Sequence, residues 1–231
     1  MIKDLRSTVN AIALTDEQAI KFTNEIFESI KKAKSIQDLE SISDDPAIQT
    51  KSKMNIDGYP KIEFSIKQHE IQTLLDSKIL ETDLSFSADI TSKLTDQLTK
   101  LLYATSWKNG DLKKVKHIIK GILAAEEKND YQNEALVFYQ FGKYLTKAPG
   151  QPIIDQHVIR AFAIYISTDI LQTTTLRKLE ILDKRHKRII QQYKDWLTSD
   201  ELTNELKKAK DYTYHIDKLL FATGKTIKKR D

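Results

Sequence analysis

The chain has 231 residues, of which 40% are apolar and 30% are charged, and its formal net charge is +4. This length and composition are typical of a globular protein that buries a substantial core. The absence of cysteine excludes disulfides, zinc–thiolate sites, iron–sulfur clusters and cysteine nucleophiles. Only six glycines and four prolines occur, which favours long helices over a turn-rich β fold.

The first third of the chain predicts two helices and a loop. A capping box over 15–18 opens the first helix, which is expected to end near Ala33. A short second helix is expected over 36–42, followed by a loop or lobe boundary over 43–61, where proline and glycine interrupt the pattern. Alternating Ile62, Phe64 and Ile66 are compatible with a short strand, and residues 66–80 with a helix.

The rest of the chain has stronger helical periodicity. One apolar stripe over 90–107 predicts a single helix that ends near Trp107, and Asp111 is expected to cap the next. Further helices are expected over 131–147, 155–166, 174–197 and 200–222, the last ended by a cap at Gly224. Gly142 is expected to permit close packing against the helix that starts at Asp155. These elements predict an all-α domain over 1–231 with about eight to ten helices.

The run Gln151-Pro152-Ile153-Ile154-Asp155-Gln156-His157-Val158-Ile159-Arg160 is the segment most informative about function. Asp155 stands where a helix begins, so its carboxylate can accept the free N–H groups of the first turn. The positive end of the helix dipole favours the ionised form. Such a fixed carboxylate suits stabilising a cation or activating a water, and it equally suits starting a helix.

The stretch 152–160 resembles the conserved segment of the helix-hairpin-helix (HhH-GPD) DNA glycosylase superfamily. In that family a short apolar run precedes an aspartate, a polar residue, an aliphatic residue and an arginine. The match covers about ten residues, and 87–170 would form the glycosylase-like core. The resemblance implies a DNA partner and hydrolysis of the N-glycosidic bond of a damaged, flipped base, with Asp155 catalytic and His157 and Arg160 as its neighbours.

Two features depart from the family pattern. The glycine-containing hairpin expected about 20–25 residues before the aspartate is replaced by residues 129–136, which contain no glycine to let backbone amides approach a phosphate. The lysine nucleophile of bifunctional members would fall at Val137, so any glycosylase activity is expected to be monofunctional. Lys143 is the nearest lysine in the same predicted helix and is the candidate nucleophile in its place, although such a lysine is more often solvated. Lys143, Tyr139 and Trp107 are also candidates for the pocket wall, although aromatic residues at helical spacing also suit a core.

Basic residues concentrate over 108–120, 177–188 and 225–230. Lys113, Lys116 and Lys120 share one face of a helix and are candidate phosphate contacts. Lys184, Arg185 and Arg160 are the other candidates. The alternative interpretation is a set of solvated helix faces and a frayed terminus.

No cofactor or metal is expected, because the five histidines lack metal-ligand spacing and no phosphate-binding glycine loop occurs. No apolar run suits a membrane span or a signal peptide, so a cytoplasmic location is expected. Three functions remain open. They are a nucleic-acid-binding protein with glycosylase activity, a catalytically inactive helical interaction or regulatory module, and a helical protein unrelated to glycosylases. The sequence identifies no protein partner.

Overall fold

A computed structural model describes residues 14–125, 133–167 and 169–229. Across these ranges it contains twelve α-helices and no β-strand, which confirms the all-α prediction. The helices are α1 (Asp16–Lys32), α2 (Ile36–Ser43), α3 (Gln68–Asp76), α4 (Ile90–Lys93), α5 (Gln97–Lys108), α6 (Leu112–Leu123), α7 (Leu136–Leu145), α8 (Gln156–Ile166), α9 (Ile170–Arg177), α10 (Lys187–Thr198), α11 (Asn204–Lys208) and α12 (Tyr212–Thr226). None of these helices is long and apolar enough to cross a membrane.

The chain divides into two compact units. The discontinuous unit is built from residues 1–61 and 152–231, and the middle unit from residues 62–151. The chain therefore leaves the discontinuous unit at the end of the segment 43–61. It returns at Pro152, immediately before the segment that leads to Asp155.

Helix α8 lies at the centre of the discontinuous unit. All seven residues from Val158 to Ile164 are buried, which is the pattern of a helix that is covered on every side. Phe162 on α8 packs against an aromatic cluster whose closest pair, Phe27 and Tyr165, stacks with ring centroids 4.0 Å apart. Tyr193 and Trp196 of α10 complete this cluster. The helix that follows Asp155 is thus anchored through its seven central residues.

The middle unit is organised around the pair α6 and α7. The two backbones meet at Gly121 and Gly142, where a Cβ on Gly121 would lie 1.9 Å from the carbonyl oxygen of Tyr139. A Cβ on Gly142 would lie 2.0 Å from the carbonyl oxygen of Ile118. Gly142 does permit close packing, but its partner is α6, so the expectation of a contact with α8 was wrong.

Several predicted elements in the middle unit have different bounds. Residues 62–66 form no strand, because Ile66 N–H donates to the carbonyl of Leu145 and the Ile62 carbonyl accepts from the Lys147 ammonium. The helix expected over 66–80 is the shorter α3. The stripe over 90–107 is divided into α4 and α5 by an extended Leu94, so its leucines do not form one core face. Of the helix expected over 131–147, residues 131–132 lie outside the described residues, and α7 begins at Leu136.

The long helices expected near the C-terminus are also divided. The segment 174–197 includes the end of α9, a 3₁₀ turn at Lys184–His186 and α10. The segment 200–222 includes α11 and most of α12, which are separated by Asp211 in the left-handed region with φ of +61°. Hydrophobic periodicity continues across both breaks, so it could not reveal them.

Alanine substitution at Gly142 should weaken the middle unit. The added Cβ would collide with backbone of α6 and force the helices apart, at a cost of at least about 1–3 kcal/mol. Gly110→Ala is the control, because its Cβ would meet no atom within 4 Å and only its φ of +71° costs energy, about 1 kcal/mol. In chemical denaturation, Gly142→Ala should have a lower free energy of unfolding than Gly110→Ala. A lower free energy of unfolding for Gly110→Ala would show that the helices do not touch at Gly142.

Candidate functional site

Asp155 is the N-cap of α8. Its backbone is extended, with φ of −136° and ψ of 157°, and its Oδ1 accepts the backbone N–H of His157 at 2.6 Å. The backbone N–H of Gln156 also interacts with the carboxylate, and like the N–H of His157 it favours the charged form. The side chain is half-buried, and burial raises the pKa of Asp155 above its usual range. A raised pKa makes the carboxylate a stronger base for a water proton.

His157 and Arg160 lie beside Asp155, as expected from their positions on one helix. The Nη1 of Arg160 donates to Nδ1 of His157 at 2.5 Å, which leaves the imidazole proton on Nε2. Burial, together with the positive charge of Arg160, lowers the pKa of His157 to about 4. His157 is therefore neutral at physiological pH.

Arg160 is completely buried and serves the fold. Its Nη1 donates to the carbonyl of Gly224 at 2.9 Å, and its Nη2 donates to the carbonyl of Leu179. Its Nε has no hydrogen-bond partner among the described residues. Burial lowers the pKa of Arg160 to about 10. A buried guanidinium that already binds two backbone carbonyls is not positioned to contact phosphate, so that expectation for Arg160 was wrong.

Helix α12 crosses α8 at the first turn after Asp155. A Cβ on Gly224 would lie 1.9 Å from the carbonyl oxygen of His157, so glycine is required by the closeness of the two backbones. Gly224 lies inside α12, which continues to Thr226, and the prediction that it caps this helix was wrong. Phe221, one turn earlier, packs edge-on against the His157 ring at 4.9 Å.

Sequence reasoning missed Asp217, which is 2% exposed on the same face of α12. Its Oδ2 accepts the backbone N–H of Ile153 at 2.7 Å, and its Oδ1 accepts the hydroxyl of Tyr193 at 2.6 Å. Burial raises the pKa of Asp217 to about 7. A signal was present in the sequence, since an aspartate seven residues before Gly224 shares its helix face.

The other pocket candidates belong to the middle unit. Lys143 and Tyr139 are both buried on α7, and the Lys143 ammonium lies 5.0 Å from the centre of the Tyr139 ring. Trp107 lies in the last turn of α5 and is 67% exposed. Val137 is the second residue of α7.

The candidate phosphate contacts lie in both units. Lys113 on α6 is exposed, and Lys116 and Lys120 on the same helix are partly exposed. In the discontinuous unit Lys184 is exposed, whereas the guanidinium of Arg185 binds Asp183 through Nη2 at 2.6 Å. Of the C-terminal cluster, Lys228 pairs with Glu180 at 2.6 Å, and Arg230 lies outside the described residues.

No protein-family model matches this chain, and neither the curated proteins nor the solved structures include a significant match. Within the described ranges, no group of three or more histidine and acidic side chains is arranged to hold a metal ion. The resemblance to the glycosylase superfamily therefore rests on residues 152–160 and stays a prediction.

Acidification should destabilise the protein through His157. Its pKa of about 4 in the fold lies below the ordinary 6.5, so the unfolded chain binds the proton more tightly. This contribution to stability is complete above pH 6.5 and is lost as the pH falls towards 4.

His157→Gln keeps an acceptor for Arg160 but does not titrate. Between pH 7 and pH 5 it should lose on the order of 1 kcal/mol less stability than wild type, after allowance for solvent screening. Chemical denaturation at both pH values measures this difference, and equal losses would contradict a neutral His157.

Proposed function

We propose that this protein binds nucleic acid and hydrolyses the N-glycosidic bond of a damaged base, with Asp155 as its catalytic carboxylate. The main support for the proposal is the way in which the Asp155 carboxylate is held. The Asp155 carboxylate is fixed at the start of α8, where its Oδ1 accepts the N–H of His157 at 2.6 Å and the N–H of Gln156 also interacts with it. A carboxylate held in this way can face a reacting group without changing its conformation.

The chemistry needs a fixed negative charge. Breaking an N-glycosidic bond builds positive charge on the sugar, and a nearby carboxylate stabilises that charge and orients the attacking water. The half-buried position of Asp155 strengthens this electrostatic effect because less water screens it. Neutral His157 adds no positive charge beside the site, so the guanidinium of Arg160 is the nearby cation that acts on the carboxylate.

Two further features support the proposal. Helices α6 and α7 form a packed pair upstream of Asp155, in the part of the chain where the resemblance calls for a helix–hairpin–helix, although the glycines of that hairpin are absent. Lys113, Lys116 and Lys120 share one face of α6, so their ammonium groups can neutralise neighbouring phosphates. The Lys143 nucleophile of a bifunctional mechanism receives no support, since this lysine is buried against Tyr139. A monofunctional mechanism with water as the nucleophile and a cytoplasmic location remain parts of the proposal.

One observation favours the alternative, a catalytically inactive interaction module. Helix α5 has no buried residue, and its apolar side chains Leu98, Leu101 and Leu102 are each more than half exposed, as is Trp107. Exposed apolar patches of this kind often mark protein–protein contacts. An interaction module would keep its function when Asp155 is replaced, which separates the two proposals.

Asp155→Asn should abolish base release while the protein stays folded. Asparagine is as good an N-cap as aspartate, so α8 should still begin at the same residue. Loss of the negative charge should slow base release by at least about 100-fold. The affinity for the same duplex should change by less than about threefold, since the carboxylate does not contact phosphate. Single-turnover release from duplexes carrying uracil, alkylated purines or oxidised purines measures the effect.

The matched control is Asp96→Asn, the same change at the N-cap of α5, where the side chain likewise accepts a backbone N–H. This variant should release bases at the wild-type rate. Base release that is equal in wild type and Asp155→Asn would remove Asp155 from the mechanism. Wild-type protein that releases none of the tested bases would leave the interaction module as the better proposal.

Charge removal on α6 should weaken nucleic-acid binding and its dependence on salt. Replacing Lys113, Lys116 and Lys120 by alanine should lower duplex affinity and reduce the salt slope by about 0.9 for each phosphate that is no longer neutralised. Alanine at the exposed lysines Lys21, Lys32 and Lys51 is the control for net charge. Titrations at several salt concentrations measure both slopes, and equal slopes in the two triple variants would show that α6 does not bind the phosphates.

A further inference from the structure

We propose that Asp217 is a positioning residue, which holds the backbone of Ile153 through a hydrogen bond and so fixes the direction of the Asp155 carboxylate. This inference rests on the proposed function. Ile153 lies two residues before Asp155, in a segment without regular secondary structure. The backbone of such a segment needs an external partner if the side chain that follows it is to keep one direction.

The external partner is Asp217, which lies on the face of α12 that packs against α8. Asp217 and Gly224 are seven residues apart, which is two helical turns, so both point toward α8. Asp217 accepts the N–H of Ile153, which precedes Asp155 in the chain. Gly224 contacts the backbone of His157, which follows Asp155. Asp155 is therefore held from both sides by the same helix.

The cost of burying Asp217 indicates that its hydrogen bonds matter. A buried carboxyl group loses its hydration, and an apolar residue of similar size would usually fill the same space at lower cost. Asp217 instead uses both oxygens, one for the Ile153 N–H and one for the Tyr193 hydroxyl. Tyr193 is itself fully buried in α10, so it fixes the rotamer of Asp217. This chain of contacts runs from Tyr193 on α10 through Asp217 on α12 to Ile153, two residues before Asp155.

Asp217→Leu removes the acceptor and keeps the branched shape of the side chain, with two larger methyl groups in place of the two oxygens. We expect the Ile153 amide to exchange its hydrogen at least about tenfold faster than in wild type. With duplex that carries the most rapidly released of the tested bases, kcat should fall about 10–100-fold, because a small misplacement of a reacting group has effects of this size. KM and duplex affinity should stay unchanged, since Asp217 lies inside the unit.

Asp217→Asn provides the conservative rescue. Its amide oxygen can still accept the Ile153 N–H, and its amino group can donate to the Tyr193 oxygen. Exchange at Ile153 and kcat should both return to within about threefold of wild type. A purely structural role would not predict a recovery of kcat that follows the Ile153 hydrogen bond. Should Asp217→Leu fail to fold, Asp217→Ser takes its place, because the shorter hydroxyl does not reach the Ile153 N–H.

The outcomes separate this inference from the proposed function. Unchanged Ile153 exchange and kcat in the Leu or Ser variant would overturn the role of Asp217, even if Asp155→Asn is inactive. A tenfold loss of kcat in Asp217→Asn with Ile153 still protected would overturn it as well. If wild-type protein releases no base, the proposed function fails, while the exchange measurement still decides whether Asp217 holds the segment.

Discussion

The crossing of α8 and α12 is the contact on which the Asp155 region depends. At this crossing the backbones approach so closely that only glycine fits at residue 224. Arg160 donates a charged hydrogen bond to the carbonyl of Gly224. The two helices are therefore joined at the same residue where their backbones are closest. Any change that separates the two helices would loosen the first turn of α8, where the side chain of Asp155 caps the helix.

Two buried ionisable groups, Arg160 and Asp217, support this crossing, and neither forms a salt bridge in the described structure. Arg160 binds backbone carbonyls and His157, whereas Asp217 binds a backbone N–H and a tyrosine hydroxyl. Buried charges that are satisfied only by neutral dipoles carry a desolvation cost, which the pKa shifts of both groups reflect. The discontinuous unit thus accepts a cost in stability at the place where it holds its half-buried carboxylate. This is the arrangement expected of a site that must keep one geometry.

The sequence predicted most of the helix starts that depend on local interactions, although the side chain of Asp111 makes no capping hydrogen bond to α6 and pairs with Lys114. The capping box at Thr15 and the cap at Asp155 were confirmed, because a cap depends on a side chain and the first turn beside it. The roles of Gly142, Arg160 and Gly224 were predicted wrongly because they depend on which helix lies opposite. A glycine near the end of an apolar stripe fits a cap and a close contact equally well, and an arginine in a motif fits phosphate and backbone carbonyls equally well. Asp217 was missed because its partner, Ile153, is distant in the chain.

If Asp155 stabilises positive charge on a sugar, as proposed, the protein should distinguish a cationic sugar mimic from a neutral one. A duplex with a cationic pyrrolidine in place of one deoxyribose carries the charge that develops during bond cleavage, and a duplex with an uncharged tetrahydrofuran at the same site does not. Wild-type protein should bind the cationic duplex at least about 100-fold more tightly than the neutral one, as expected for a transition-state mimic. The Asp155→Asn variant should lose this preference. Equal affinity of the wild-type protein for the two duplexes would show that Asp155 does not stabilise the sugar cation.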